Sequence, residues 1–122
     1  MQKLNIKNNM GEFKGTQYKA WFTSDLHFSH PSTLYFNPER REAASVTLEE
    51  LQEDKVGAIQ KFDEWLIDKW NNTIKKKDFV YILGDFCLGN KERTKYILSR
   101  LNGRKFLVRG RLWLFLRISF GA

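Results

Sequence analysis

Asp25 and His27 stand two residues apart just after the apolar run Ala20-Trp21-Phe22. Asp85 follows Gly84 directly after Phe79-Val80-Tyr81-Ile82-Leu83. Carboxylate oxygen and imidazole nitrogen together suit a divalent transition metal ion. In an α/β sheet, sites are built in the loops that leave the carboxyl ends of the strands. Residues two apart on an extended backbone face the same side. Asp25 and His27 can therefore grip one ion from one strand end while Asp85 reaches it from another. Each fragment alone has an ordinary alternative: Asp25 caps a turn, His27 lies on the surface, and Gly84 serves only to let the chain turn sharply. The joint occurrence, 60 positions apart with a helix between, is more specific than either fragment.

The elements that must position these residues follow from hydrophobic period. Lys19 to Ser24, Asp78 to Leu83 and Arg104 to Arg109 read as buried strands, with a short edge strand over Lys3 to Ile6. Thr47 followed by Glu50 forms a capping box. Beyond it Leu48, Leu51, Val56, Ile59, Phe62, Leu66 and Trp70 recur at helical spacing, which predicts one helix from Leu48 to about Asn71. Residues 28–46 read as a long loop with one helical turn. Asn90 caps a second helix over Lys91 to Leu101, with Tyr96, Ile97 and Leu101 inward, and Asn102-Gly103 ends it. The order β-loop-α-β-α-β predicts an α/β fold with parallel strands and right-handed crossovers.

The chain has 122 residues, enough for one domain with a core, and 42% of them are hydrophobic. The net charge of +7 favours anionic partners. The tight basic run Lys75-Lys76-Lys77 sits where a helix should end, where cations complement the dipole. Cys87 is the only cysteine and reads as a small buried hydrophobe; no internal disulfide is possible, which fits a cytoplasmic location. The first 18 residues are polar, without the apolar region of a signal peptide. No apolar run exceeds five residues, far short of the roughly 20 needed to span a membrane, so no membrane partner is expected.

Three blocks carry a resemblance. Trp21-Phe22-Thr23-Ser24-Asp25-Leu26-His27-Phe28-Ser29-His30 and Val80-Tyr81-Ile82-Leu83-Gly84-Asp85-Phe86 look like the first two blocks of the calcineurin-like metallophosphoesterases. Leu101-Asn102-Gly103-Arg104-Lys105-Phe106-Leu107-Val108-Arg109-Gly110 looks like the approach to their third. The small bacterial and phage members are the most similar, over Lys19 to Gly110. The resemblance implies a partial metallophosphoesterase-type β-sandwich flanked by helices, of which this chain holds the N-terminal βαβαβ half. It implies a binuclear site for Mn, Fe or Zn that hydrolyses phosphate monoesters or diesters. Asp25 and His27 would bind the first ion, and Asp85 would bridge two ions roughly 3.5–4 Å apart. His30 is left open between facing the substrate, supporting a ligand from behind, and an ordinary surface position.

The chain departs from the family after Gly110. The third family block continues with Asn and His, whereas Arg111-Leu112-Trp113 stand here, and the chain's two histidines are His27 and His30. No catalytic proton donor is therefore assigned. At most one ion is expected to be well held, and activity is expected to be weak or absent. Three segments are expected: a polar lead over 1–18, the N-terminal part of a metallophosphoesterase domain over 19–110, and an aberrant apolar and basic tail over 111–122 from a frame change or a shortened gene. Loss of the second sheet would leave an apolar sheet face open. Two further readings are a non-catalytic basic fragment that holds phosphate or nucleic acid, and an interaction protein that relies on the apolar tail.

Overall fold

The structure is a computed structural model and describes residues 7–9, 19–109 and 114–118. Strands β2 (Ala20–Ser24), β3 (Phe79–Leu83) and β4 (Arg104–Arg109) lie side by side and parallel, Trp21 opposite Val80 and Val80 opposite Lys105. Two antiparallel edge strands flank them: β1 (Lys7–Asn9) beside β2, and β5 (Leu114–Ile118) beside β4. The fold is α/β with a three-stranded parallel centre. The strand expected over Lys3 to Ile6 lies outside the described residues. The tail, for which no element was expected, supplies β5: its backbone pairs with β4 from Lys105↔Ile118 to Arg109↔Leu114. The apolar stretch Leu114-Phe115-Leu116 has no helical period, yet it meets the demands of a strand.

Side chains alternate across the sheet, as strand geometry requires. Trp21, Thr23, Val80 and Ile82 are buried on one face, where Phe62, Leu66, Ile67 and Trp70 cover them. On the other face Phe22, Tyr81 and Phe106 are half-buried and stack in a row across β2, β3 and β4, with centroids 5.1 and 5.3 Å apart.

The helices correct several expectations. Residues 28–46 hold two helices, α1 (Pro31–Phe36) and α2 (Pro38–Ala43), where one turn was expected. Each starts with proline at its first position and a side-chain cap before it, His30 and Asn37. The single helix from Leu48 is two: α3 (Leu48–Glu53) and α4 (Lys55–Thr73). Asp54 makes the break. Its N–H donates to the Glu50 carbonyl at 2.8 Å, closing α3, while its Oδ1 accepts from the Gly57 N–H at 3.0 Å, opening α4. The break turns Val56 outward, 66% exposed.

Helix α5 (Lys91–Arg100) is capped by Asn90, as expected. Ile97 and Leu101 are buried, and so is Leu98. Tyr96 is not inward: it is exposed, lying between the guanidinium groups of Arg93 and Arg100. Among the described residues no helix is long and apolar enough to cross a membrane.

Below the sheet, opposite the strand ends that carry the candidate ligands, Asp78 fixes the start of β3. It accepts from the Trp21 Nε1–H and the Lys75 N–H, both at 2.9 Å, and from the Lys19 N–H at 3.3 Å. Burial opposes its charge, but these donors outweigh it and hold its pKa below the usual carboxylate value.

Candidate metal centre

Beyond β2 and β3 the two chains do not part. The Asp25 N–H donates to the Leu83 carbonyl at 3.0 Å, the His27 N–H to Asp85 at 3.2 Å, and the Phe28 N–H to Phe86 at 2.8 Å. Phe28 and Cys87 continue the parallel pairing as an isolated bridge, and the Leu88 N–H returns to the Phe28 carbonyl at 3.0 Å. The loops after the two strands are thus zipped together, and this brings the residues at positions 25, 27 and 85 to one place. Asp25, His27 and Asp85 each offer a ligand atom, and the three atoms lie within 4.8 Å of one another.

The expected reason for the pairing of Asp25 with His27 needs correction. Their backbone is not extended: Asp25, His27 and Ser29 all have positive φ, at 52°, 54° and 54°. Alternation survives because Leu26 and Phe28 between them are fully buried. The core holds Leu26 and Phe28, which leaves the His27 side chain to the cleft side. Gly84, with φ 72°, lies against Asp25, and a Cβ there would stand 2.2 Å from Asp25 Oδ1. Asp25 Oδ1 also accepts the Asp85 N–H at 3.2 Å.

The donor set fits a divalent cation. Two carboxylates supply anionic oxygens, and neither is fully buried. His27 Nδ1 is buried and has no hydrogen-bond partner among the described residues. A buried imidazole nitrogen without a partner is costly, and metal ligation would satisfy it. The His27 pKa is pushed down, first by burial, then by His30 and Arg40, against the pull of Asp85 and Asp25. A neutral imidazole is the form that binds metal.

His30 does not join the three. Its Nδ1 accepts the Thr33 N–H at 3.2 Å, capping α1, and its ring meets His27 edge-on at 5.0 Å between centroids. Both histidines and Asp85 line an open cleft of about 570 Å³. Cys87, expected to be buried, is half-buried on that cleft wall and accepts from the Gly89 N–H at 3.3 Å.

Three residues behind the site escaped the sequence reading. Asp63 of α4 is fully buried; its Oδ1 accepts the Ser29 N–H at 2.7 Å and its Oδ2 the Ser29 hydroxyl at 2.6 Å. Arg93 of α5 pairs with the same Oδ2 at 3.1 Å. Arg40 of α2, also buried, donates to the Leu26 carbonyl and lies over the Phe62 ring. The signal for Asp63 was present: it falls at helical spacing on the same stripe as Ile59, Phe62, Leu66, Ile67 and Trp70. A carboxylate on a buried stripe needs partners. Arg40 had no such signal, because its segment read as loop.

No protein-family profile matches the chain, and no solved structure matches it. Three curated proteins are similar. An uncharacterized protein of Methanocaldococcus jannaschii is 30% identical over 95 residues, covering 75% of this chain and 45% of that protein. The Gene 66 proteins of Mycobacterium phages L5 and D29 are 29% and 30% identical, each covering 75% of this chain and 38% of the phage protein. The chain thus spans less than half the length of these relatives.

Proposed function

We propose that this chain carries the first-ion half of a metallophosphoesterase centre, on the N-terminal βαβαβ part of a metallophosphoesterase-type β-sandwich. One observation carries the reading: Asp25, His27 and Asp85, from two zipped strand ends, offer three ligand atoms within 4.8 Å of one another. The pattern Asp25-x-His27 with Gly84-Asp85 supports it through the family resemblance, as does the partnerless His27 Nδ1.

Asp25, His27 and Asp85 would hold a divalent ion, with Mn, Fe and Zn all suited to mixed oxygen and nitrogen ligation. When bound, such an ion supplies Lewis-acid polarisation of a phosphoryl oxygen. The chain's own residues do the rest. Gly84 leaves room for the Asp25 carboxylate. The Asp85 N–H fixes one oxygen of that carboxylate. Burial, with His30 and Arg40, lowers the His27 pKa and so favours the neutral imidazole that can ligate. The substrate is a phosphate ester, received in the cleft beside His27, His30 and Asp85. In the sequence, Arg111-Leu112-Trp113 stand where the resemblance puts the family's Asn and His. The chain by itself therefore binds one ion and phosphate, with little or no turnover.

The test is phosphate binding with and without Mn²⁺, in the wild-type chain and in Asp85→Asn, beside an aryl phosphate hydrolysis assay. The reading expects phosphate binding that requires the ion and is lost in Asp85→Asn, with hydrolysis near background. Phosphate binding indifferent to the ion would favour the non-catalytic basic fragment instead. Brisk Mn²⁺-dependent hydrolysis abolished by Asp85→Asn would overturn the low turnover.

A further inference from the structure

The segment that carries Asp25 and His27 takes an unusual path. Three of its residues, Asp25, His27 and Ser29, have φ between 52° and 54°. A side chain with a Cβ avoids that region unless its surroundings impose it. For Asp25 and His27 the neighbouring loop does so, through the hydrogen bonds to the Leu83 and Asp85 carbonyls. Ser29 receives no such bond from the loop after β3. Its N–H and hydroxyl both go to the carboxylate of Asp63 on α4, at 2.7 and 2.6 Å. Asp63 is fully buried and is itself fixed by Arg93 from α5 at 3.1 Å.

We propose that Asp63 is the positioning residue of the metal centre: through Ser29 it locks the left-handed path that aims His27 at Asp25 and Asp85. The inference rests on the metal reading given above and adds a residue from a different element to it. Ser29 lies two positions from His27, and between them Phe28 is fully buried and pairs with the loop after β3. His27 is thus held on one side by its bond to the Asp85 carbonyl and on the other, through Phe28 and Ser29, by the Asp63 carboxylate. Ligand groups must be held within about 0.5 Å for a site to bind well, and residues that orient ligands typically change metal affinity by about 10–100-fold when lost. Arg93 has a matching part: it balances the buried charge of Asp63 and ties α5, which borders the cleft through Thr94, to the same point.

A buried carboxylate also stabilises the fold, so the test must separate aim from stability. Mn²⁺ affinity is measured by calorimetry on the folded chain, with thermal stability alongside, for the wild type, Asp63→Ala, Ser29→Ala and Asn71→Ala. Asn71 is the control: it bonds Arg100 and Asn102, eight residues and roughly 12 Å further along α4. The expected result is a tenfold or greater rise in Kd for Asp63→Ala and a threefold or greater rise for Ser29→Ala, which removes only the hydroxyl. Asn71→Ala is expected to lower the melting temperature and leave Kd within twofold of wild type. If Asp63→Ala does not fold, Ser29→Ala decides by the same threshold. Wild-type affinity in Asp63→Ala, or in Ser29→Ala when that variant decides, overturns the role of Asp63 while the metal reading stands. A wild-type chain that binds no Mn²⁺ overturns the metal reading and this role with it.

Discussion

Gly84 and Asp25 are packed so closely that a Cβ on Gly84 would stand 2.2 Å from Asp25 Oδ1 and 3.0 Å from its Cγ. Gly84 also has φ 72°, a conformation that costs an L-residue about 1–2 kcal/mol. The glycine thus gives the carboxylate its place as well as turning the chain. Gly84→Ala is expected to displace the Asp25 side chain and weaken Mn²⁺ binding at least tenfold, with a stability loss of about 1–2 kcal/mol from the backbone alone. Calorimetric titration and denaturant unfolding check both parts. An alanine variant with wild-type affinity would show that Asp25 is not held where the site needs it.

Asp78 links pH to stability at the other end of the sheet. Its folded pKa lies below the ordinary value of 3.8, because donors from Lys75, Trp21 and Lys19 outweigh the cost of burial. A depressed carboxylate contributes stability that is fully present above its unfolded pKa and is lost as pH falls through the folded one. The wild-type chain should therefore lose this part of its stability only below about pH 4. Asp78→Asn should lower stability by about 1–3 kcal/mol at neutral pH and flatten the acid limb of the profile. Urea midpoints between pH 3 and 7 measure both. An unchanged acid limb would contradict the assignment.

Glu64 and Arg100 form a two-pronged pair, at 2.8 and 2.9 Å, between α4 and α5. The Glu64 carboxyl is pulled down by its hydrogen bond from Arg100. Both side chains are more than a third exposed, at 44% and 37%, so solvent screens the pair. Glu64→Gln is expected to change stability by less than about 1 kcal/mol and to leave metal affinity alone. Unfolding at low and high salt measures this; a loss well above that bound would mean the pair fastens α5 to α4.

Much of the site was legible because strand ends are legible. The apolar runs before Asp25 and Gly84-Asp85 marked β2 and β3 to within a residue, and parallel pairing then had to bring their carboxyl ends together. The left-handed path through Asp25, His27 and Ser29 was not legible. It arises from zipping against a loop 60 residues away, which no local period reports. Asp54 was read inside a helix because the apolar stripe runs past it, whereas its cap on Gly57 is a local hydrogen bond that competes with helix continuation. Residues 28–46 read as loop although Pro31 and Pro38 each stand one residue after a capping side chain, a helix start in its own right.

The central claim is that Asp25, His27 and Asp85 hold one divalent ion. Calorimetric titration of the chain with Mn²⁺, repeated on Asp85→Asn, tests it most directly. The account predicts one ion per chain in the wild type and at least a tenfold weaker Kd in Asp85→Asn. No binding heat in the wild type, or equal affinity in the two chains, would contradict it.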